Sequence, residues 1–499
     1  MELLQHVASG IVNAIQPVNL FVMVIGMIFG VIGGMLPGIT VVTAIALALP
    51  FTFSLPTDTA LIALGAVFCG STYGGANAAI LMNTPGQPGS VATTFDGYPM
   101  TRKGEAQRAM LTALFASAFG GVVGVVILLL FFAPLSEIAL KFGPAAFFWL
   151  AIFGLTTLAA MSPGNVLKGL LGGAIGLSIS TVGLDPVAGT PRFTFGIQPL
   201  VQGFDMVVVM IGIFSFSQML VLLEAPESHI AKYVRRHGVA RQVIGDLWRR
   251  CKRVLVQSSV LGTFIGTLPG AGGSVSAIIA YNEAKRWDRN PSRYGTGVIE
   301  GVAAPESANN AGVGGSLVPL MSLGIPGNAG AAVLMGGLLA QGLVPGPQLL
   351  ANHADIAYTF IVGLIVVNFV MVPVGAVIAK LSAQIVRIPK TYIIPTVIVL
   401  AVIGSYALRN NELDVVIMLA TGTIAYLLIR VEIHPAPIAL GLVLGPIVEQ
   451  SLSVSLLLAR AKTSVLDVLV FDPLAAFLIA LCILALVLPI WLERKKASS

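Results

Sequence analysis

The chain has 499 residues, 56% of them hydrophobic and only 10% charged, with a formal net charge of +6 and a mean hydropathy of +0.92. A soluble domain carries about 25% charged residues, so this composition excludes an ordinary water-soluble globule, whose surface would be far too apolar to stay monomeric. A bilayer is the solvent that suits it, and the apolar runs are continuous rather than alternating, which predicts membrane-spanning helices and not a barrel.

Taken in chain order, the N-terminus MELLQHVASG has no basic stretch, and no cleaved signal peptide is expected. Asn19–Pro50 reads as a helical hairpin that dips into the membrane and turns near Leu36-Pro37-Gly38. Phe51–Thr59 has no Lys or Arg, whereas Thr101–Arg108 carries Arg102, Lys103 and Arg108. Between them lie Ser71-Thr72-Tyr73-Gly74-Gly75-Ala76-Asn77, then Asn83-Thr84-Pro85-Gly86, then Asp96-Gly97-Tyr98-Pro99. The last of these reads as a turn, with Asp96 structural. Four crossings follow, near 109–133, 144–161, 165–183 and 205–223. They lead to the linker Glu224–Arg253, which holds Lys232, Arg235, Arg236, Arg241, Arg249, Arg250, Lys252 and Arg253. These charges flank spans, so they mark a cytoplasmic joint, and no nucleic-acid partner is expected.

The second half repeats the first. The motif GxxxGxLPG at Gly30–Gly38 returns at Gly262–Gly270, displaced by 232 residues. The segment Asn83–Gly89 returns as Gly324–Gly330, displaced by 241. Arg253–Lys285 again reads as a hairpin, broken at Leu268-Pro269-Gly270. Glu283–Arg293 carries Lys285, Arg286, Arg289 and Arg293, and Gly342–Asp355 carries no Lys or Arg. Each basic loop therefore corresponds to a loop without Lys or Arg in the other half. Equivalent loops on opposite sides of a membrane are the mark of an inverted repeat. The predicted fold is an all-α polytopic membrane protein of two inverted repeats with broken, re-entrant helices. The repeats are 1–223 and 254–472, joined by 224–253 and followed by 473–499. Ile356–Ala379, Tyr392–Leu408 and Leu474–Leu492 read as further spans, and Arg494, Lys495 and Lys496 place the C-terminus in the cytoplasm.

The breaks are where chemistry is expected. A helix that starts in mid-membrane points unpaired N–H groups at a ligand, and that end favours a carboxylate. Pro37, Gly38 and Thr40 in one copy, and Gly270, Gly272 and Ser274 in the other, are the first candidate substrate ligands. Asn77, Asn83, Thr84, Pro85 and Gly86, with Asn309, Asn310, Pro326, Gly327 and Asn328, are the second set, because polar groups inside spans usually face a cavity. Glu306, Ser307, Asn310, Ser71 and Thr72 are the candidate ligands of a coupling ion. For Glu306 the competing reading is a helix cap or a solvated acid at a loop end. Cys69, Cys251 and Cys482 have no metal spacing, and the five histidines are scattered. No ATP-binding GxxxxGK[ST], HExxH or GxSxG motif is present, so no enzyme activity and no cofactor are expected.

The stretches Tyr73 to Gly86, Asp96-Gly-Tyr-Pro99 and Glu300-Gly-Val-Ala-Ala-Pro-Glu-Ser-Ala-Asn-Asn310 through Gly327, with the doubled LPG motif, resemble the large transmembrane (permease) subunit of the tripartite tricarboxylate transporter family. The resemblance runs over roughly 20–470. It implies a small four-span membrane subunit and a periplasmic solute-binding protein as partners, and a bacterial inner-membrane location. It further implies secondary uptake driven by sodium or protons, a carboxylate such as citrate as substrate, and an elevator-type movement of a substrate domain against a scaffold. Homo-oligomerisation is left open. The alternatives are a self-sufficient carboxylate carrier with no binding protein and, from another class, a channel or structural membrane scaffold.

Overall fold

The computed structural model describes residues 2–36, 38–160, 166–185, 189–224, 238–270, 272–461 and 464–497. Pro37 therefore lies outside the described residues, as do Met161 and most of the basic linker.

The first half opens with α1 (Glu2–Ala14), α2 (Pro17–Met35), α3 (Val41–Thr52), α4 (Thr57–Met82), α5 (Val91–Arg102) and α6 (Ala106–Ala139). It continues through α7 (Pro144–Ala160), α8 (Val166–Ser180), α9 (Met206–Met210) and α10 (Ser217–Glu224). The second half runs α11 (Val239–Asp246), α12 (Lys252–Thr267), α13 (Gly272–Arg286), α14 (Ile299–Leu323) and α15 (Ala329–Ala340). After these come α16 (Pro347–Ile385), α17 (Lys390–Arg409), α18 (Glu412–Arg430), α19 (Pro435–Ala461), α20 (Val465–Leu469) and α21 (Pro473–Ala497). Among the described residues the sole sheet is one short antiparallel pair, Gly183–Leu184 with Pro191–Arg192.

Among the described residues, eight helical stretches are long and apolar enough to cross a membrane, so the chain is an all-α, multi-pass membrane protein. Of the four crossings expected between the basic loop and the linker, α6 and the stretch Met206–Glu224 meet that length, while α7 and α8, at 17 and 15 residues, fall short of it. The Met206–Glu224 stretch is not uniform, because Ile211–Phe216 winds as a π-helical turn between α9 and α10. The sequence reading does not single out α18 and α19, whose apolar runs are edged or interrupted by Glu412, Asp414, Pro446 and Glu449.

Two helices form the centre. Nearly every residue of α4 and of α14 is buried. Small residues let their neighbours approach at backbone distance. A Cβ on Gly30 or Gly34 of α2 would lie 2.5 Å or 2.2 Å from the carbonyl oxygens of Val67 or Ser71 on α4. A Cβ on Gly262 or Gly266 of α12 would lie 2.3 Å or 2.7 Å from those of Ala308 or Gly312 on α14. These four contacts sit at matching positions under the offsets of 232 and 241.

The breaks match in the same way. Leu36 and Leu268 are extended and end α2 and α12. Gly38 and Gly270 then take φ +84° and +85°, a left-handed conformation open to glycine at little cost. Both central helices end in a left-handed residue, α4 at Asn83 and α14 at Gly324. Gly86 N–H donates to Gly75 O, and Gly327 N–H donates to Ser316 O.

The segment Asp96–Pro99 is not a turn. It lies inside α5, with Pro99 within the helix. The fully buried Asp96 carboxylate reaches the start of α14, where it accepts hydrogen bonds from the backbone N–H groups of Gly295, Gly297 and Val298 and from the Tyr281 hydroxyl at 2.7–3.0 Å. Asp96 thus ties the loop that leads into α14, and the Val298 N–H at the helix boundary, to the other half of the chain. Gly97 must be small, since a Cβ would lie 2.7 Å from the Ile80 side chain. Replacing Asp96 with Ala removes the common acceptor of several part-buried backbone donors and of the buried Tyr281 hydroxyl, a loss of about 1–3 kcal/mol for the donors that water cannot reach. We expect a clear fall in the unfolding temperature in detergent, and an unchanged melting curve would refute this role.

Candidate functional site

A cavity of about 460 Å³ lies between the halves. Most of its lining residues come in corresponding pairs. Thr40 and Gly272, Val41 and Gly273, and Val42 and Ser274 pair at the offset of 232. Phe68 and Asn309, Thr72 and Val313, Gln87 and Asn328, Pro88 and Ala329, and Gly89 and Gly330 pair at 241. Gly270, Phe214, Gln218, His434, Pro435 and Ala436 complete the wall.

Helix starts surround this space. Thr40 caps α3, its Oγ1 accepting from Thr43 N–H at 3.3 Å. Asn328 caps α15, its Oδ1 accepting from Ala331 N–H at 2.8 Å. Gly272 begins α13, and Pro88 begins the short turn that leads into α5. New helices thus start within a few residues of the LPG and PG breaks; Pro88 itself opens a helical turn, where the missing N–H costs nothing, whereas Pro269 lies ahead of α13 and not in its first turn. No Asp, Glu, Lys or Arg lines the cavity among the described residues. Its polarity comes from amides, hydroxyls, one imidazole and helix ends, which together favour an anion over a cation.

Asn309 is the polar residue most enclosed by glycine. It is 3% exposed, and its Nδ2 has no hydrogen-bond partner in the protein. A Cβ on Gly89 or Gly273 would lie 2.3 Å or 2.1 Å from its Oδ1. The two glycines make the slot into which this amide fits, one on the turn before α5 and one on α13. Gln87 is held differently, its Nε2 donating to Thr72 O at 2.7 Å. His434 Nδ1 accepts from Ala436 N–H at 3.3 Å, so the neutral ring carries its proton on Nε2.

The cavity brings together Thr40, Thr72, Gly270, Gly272, Ser274, Asn309 and Asn328 from the candidate set. The other described candidates lie off it. Gly38 packs on Leu222, and Gly86 and Gly327 press against the carbonyl oxygens of Gly34 and Gly266, so these glycines shape the breaks. Asn83 and Thr84 are exposed at the end of α4, while Pro85 is half-buried and Pro326 buried. Asn77 and Ser307 are buried within α4 and α14. Sequence reading passed over Gln87, Gln218 and His434. Each is a polar residue set in or beside an apolar helix, which is the signal that would have found them. Gln218 also lies two residues beyond the π-helical turn, a distortion frequent at functional sites.

Glu306 is neither a cap nor a solvated acid. It sits in mid-α14 at 0% exposure, one turn from Asn309. Ser117 Oγ on α6 donates to its Oε2 at 3.0 Å, and Thr93 Oγ1 on α5 donates to Oε1. No Lys, Arg or His pairs with it among the described residues. Four residues further along α14, Asn310 leaves both Nδ2 and Oδ1 without a protein partner, and on α4 the Ser71 Oγ is likewise unpaired. No group of three or more His, Cys, Asp or Glu is arranged to hold a metal ion among the described residues.

The model of the tripartite tricarboxylate transporter TctA family matches residues 20–440. The chain belongs to that family. The matched region contains both breaks, both central helices and every residue that lines the cavity. The chain is also 35% identical over 498 residues to an uncharacterized 52.8 kDa protein in the TAR-I ttuC′ 3′ region of Agrobacterium vitis, covering 98% of this chain and 97% of that one. A second protein, in the TAR-II ttuC′ 3′ region of the same organism, is 35% identical over 231 residues, 46% of this chain and 94% of its own length. No solved structure matches the chain. Membership in this family makes the protein a transporter of the tripartite tricarboxylate type.

Proposed function

We propose that the chain is the large membrane subunit of a binding-protein-dependent secondary importer, and that the cavity between its halves receives a small carboxylate. The observation that carries this reading is the convergence of the α3, α13 and α15 starts on a cavity whose polar groups, among the described residues, are amides, hydroxyls and one imidazole with no acid. Each helix end favours an anion by up to about 2 kcal/mol in a partly buried setting. Removing one carboxylate from water costs several kcal/mol even after relaxation. Three ends offset roughly one charge, so a dicarboxylate or tricarboxylate must be accompanied by cations.

Glu306 is the group proposed to carry that compensation. A buried carboxylate without a cationic partner is costly when ionised, and it becomes affordable once it binds a proton or a sodium ion. Ser307, Asn310, Ser71 and Thr72 are proposed to assist, and the unpaired side-chain atoms of Asn310 and Ser71 support that role.

The matched conformations at Gly38 and Gly270, and the paired lining of the cavity, support a duplicated architecture with one binding site at the repeat interface. The contrast of basic and non-basic loops supports inversion of one copy relative to the other. In this reading 1–223 and 254–472 are the repeats, 224–253 and the C-terminus are cytoplasmic, and the membrane is the bacterial inner membrane. Alternating access proceeds by movement of the cavity-bearing hairpins and central helices against a scaffold of the long peripheral helices. A small four-span subunit and a periplasmic solute-binding protein complete the transporter.

The test is uptake of labelled citrate and other carboxylates into proteoliposomes, with and without the two partner proteins, under an imposed sodium or proton gradient. Accumulation that requires all three proteins and collapses with one ionophore is the expected result. Accumulation by this chain alone would favour the self-sufficient carrier, and no gradient-driven uptake of any carboxylate would overturn the substrate class.

A further inference from the structure

Two surface features away from the cavity meet at one side chain. The first is a polar pocket of about 460 Å³ at the start of α12 and the end of α13, lined by Arg250, Arg253, Arg289 and Arg293, with Asp288 as its single acid. Arg293 is engaged by Asp288 at 2.6 Å and by Glu300 at 3.0 Å, and Arg250 reaches Glu300 at 3.1 Å. Arg253 and Arg289 have no acidic partner among the described residues. The Arg253 guanidinium lies 5.8 Å from the centre of the Trp287 ring, which holds it at the pocket without consuming its charge.

The second feature is an apolar groove of about 790 Å³ between α6, α11 and α12, walled by Phe115, Phe119, Ile244, Leu247, Trp248 and Val256. Arg253 and Gln257 line both spaces. Beyond Arg253 the same side of α12 presents Val256, Val260 and Phe264, at 52%, 49% and 66% exposure. In a membrane protein such a stripe faces lipid. Trp248 and Trp287 flank the junction and are themselves exposed, the placement tryptophan takes at the headgroup level.

We propose that this composite site binds one anionic phospholipid, with its phosphate among Arg250, Arg253, Arg289 and Arg293 and an acyl chain along the α6–α11–α12 groove. The charge decides the class. Two arginines without acidic partners ask for an anion, and guanidinium groups suit phosphate oxygens. The adjoining groove is walled mainly by apolar side chains and runs on into the exposed apolar stripe of α12, which a soluble anion would leave empty. The groove is built partly by α11, and Arg108 on α6 is bound to Asp246 at the end of α11 at 2.7 Å. A bound lipid therefore bridges the hairpin helix α12 to the end of the basic linker.

The test uses the full chain purified in neutral detergent and native mass spectrometry with phosphatidylglycerol and phosphatidylcholine of identical chains. Preferential retention of phosphatidylglycerol is expected. Each cationic contact near a membrane surface is worth about 1 kcal/mol, so R253Q combined with R289Q should weaken phosphatidylglycerol binding about 30-fold and leave phosphatidylcholine unchanged. Val256→Trp, which fills the groove and leaves all four arginines, should also weaken it, and serves if the double variant does not fold. Equal binding of the two lipids, or phosphatidylglycerol binding indifferent to both variants, would overturn the proposal. So would displacement of the lipid by inorganic phosphate at matched concentration, which would make the pocket a site for a soluble anion. If Val256→Trp releases a second membrane protein while lipid binding stays intact, the groove is a protein interface and the lipid assignment fails.

Discussion

Asn309→Asp should abolish carboxylate uptake in reconstituted vesicles while the protein stays folded. The substitution changes one amide to a carboxylate of nearly the same shape, in a slot bounded by Gly89 and Gly273. The rest of the described lining carries no acid, so the new charge is the first anion to meet the α3, α13 and α15 starts. It occupies the positive helix ends that the substrate would use, and it repels what remains of the substrate's charge. Asn309→Ala is milder. It removes one hydrogen bond to a charged ligand, worth about 1.5–3 kcal/mol, or roughly 10- to 100-fold in affinity. Measuring the transport KM and maximal rate of both variants separates the two effects. An Asn309→Asp protein with native KM would mean that the carboxylate binds elsewhere.

Glu306→Gln should uncouple transport from the ion gradient. Gln keeps the volume of Glu; its Oε1 accepts from one of the Thr93 and Ser117 hydroxyls while its Nε2 donates to the other, which can turn to accept, so the packing of α5, α6 and α14 around it is preserved. The side chain, however, no longer takes up or releases a proton and no longer neutralises a cation. Gradient-driven accumulation should fall by 100-fold or more, the scale set by burying one uncompensated charge at several kcal/mol. Exchange of labelled for unlabelled substrate across the membrane, which needs no net ion movement, should persist. That pattern distinguishes coupling from a structural strut, which would lose stability and both activities together. Glu306→Ala is the less informative variant, because it leaves a void and two buried hydroxyls without a partner and should destabilise the fold by about 2–5 kcal/mol. Accumulation at the native rate by Glu306→Gln would remove the coupling role.

The breaks in α2/α3 and α12/α13 were legible because their chemistry is local. A Leu-Pro-Gly placed after an apolar run ends one helix and supplies a left-handed glycine, whatever surrounds it, and the next helix starts two or three residues further on. The left-handed ends at Asn83 and Gly324 rest on local chemistry too, since Asn and Gly adopt that conformation most readily, but the sequence reading took Asn83 as a candidate ligand and not as a helix end. Local chemistry also misled. Asp, Gly and Pro each favour turns, so Asp96–Pro99 looked like one. In the folded chain it is helical, because the Asp96 carboxylate is drawn to the N–H groups that lead into α14, some two hundred residues further on. Glu306 was visible as an acid among small residues. Its complete burial and its two hydroxyl partners depend on α5 and α6 closing over α14.

By itself, the sequence determined that the chain lives in a membrane, that its helices break at two matching places, and which family of carriers its motifs resemble. Hydropathy, turn stereochemistry and motif spacing carry that information, and each is a property of a short segment. The tertiary structure decided which polar residues share a cavity. It kept Thr40, Thr72, Ser274, Asn309 and Asn328 together, added Gln87, Gln218 and His434, and set Asn77, Asn83 and Gly86 apart. That choice depends on the close approach of α2 to α4 and of α12 to α14, and on the face each helix then turns inward. Those orientations are fixed by glycine contacts between segments distant in the chain, which no local pattern records.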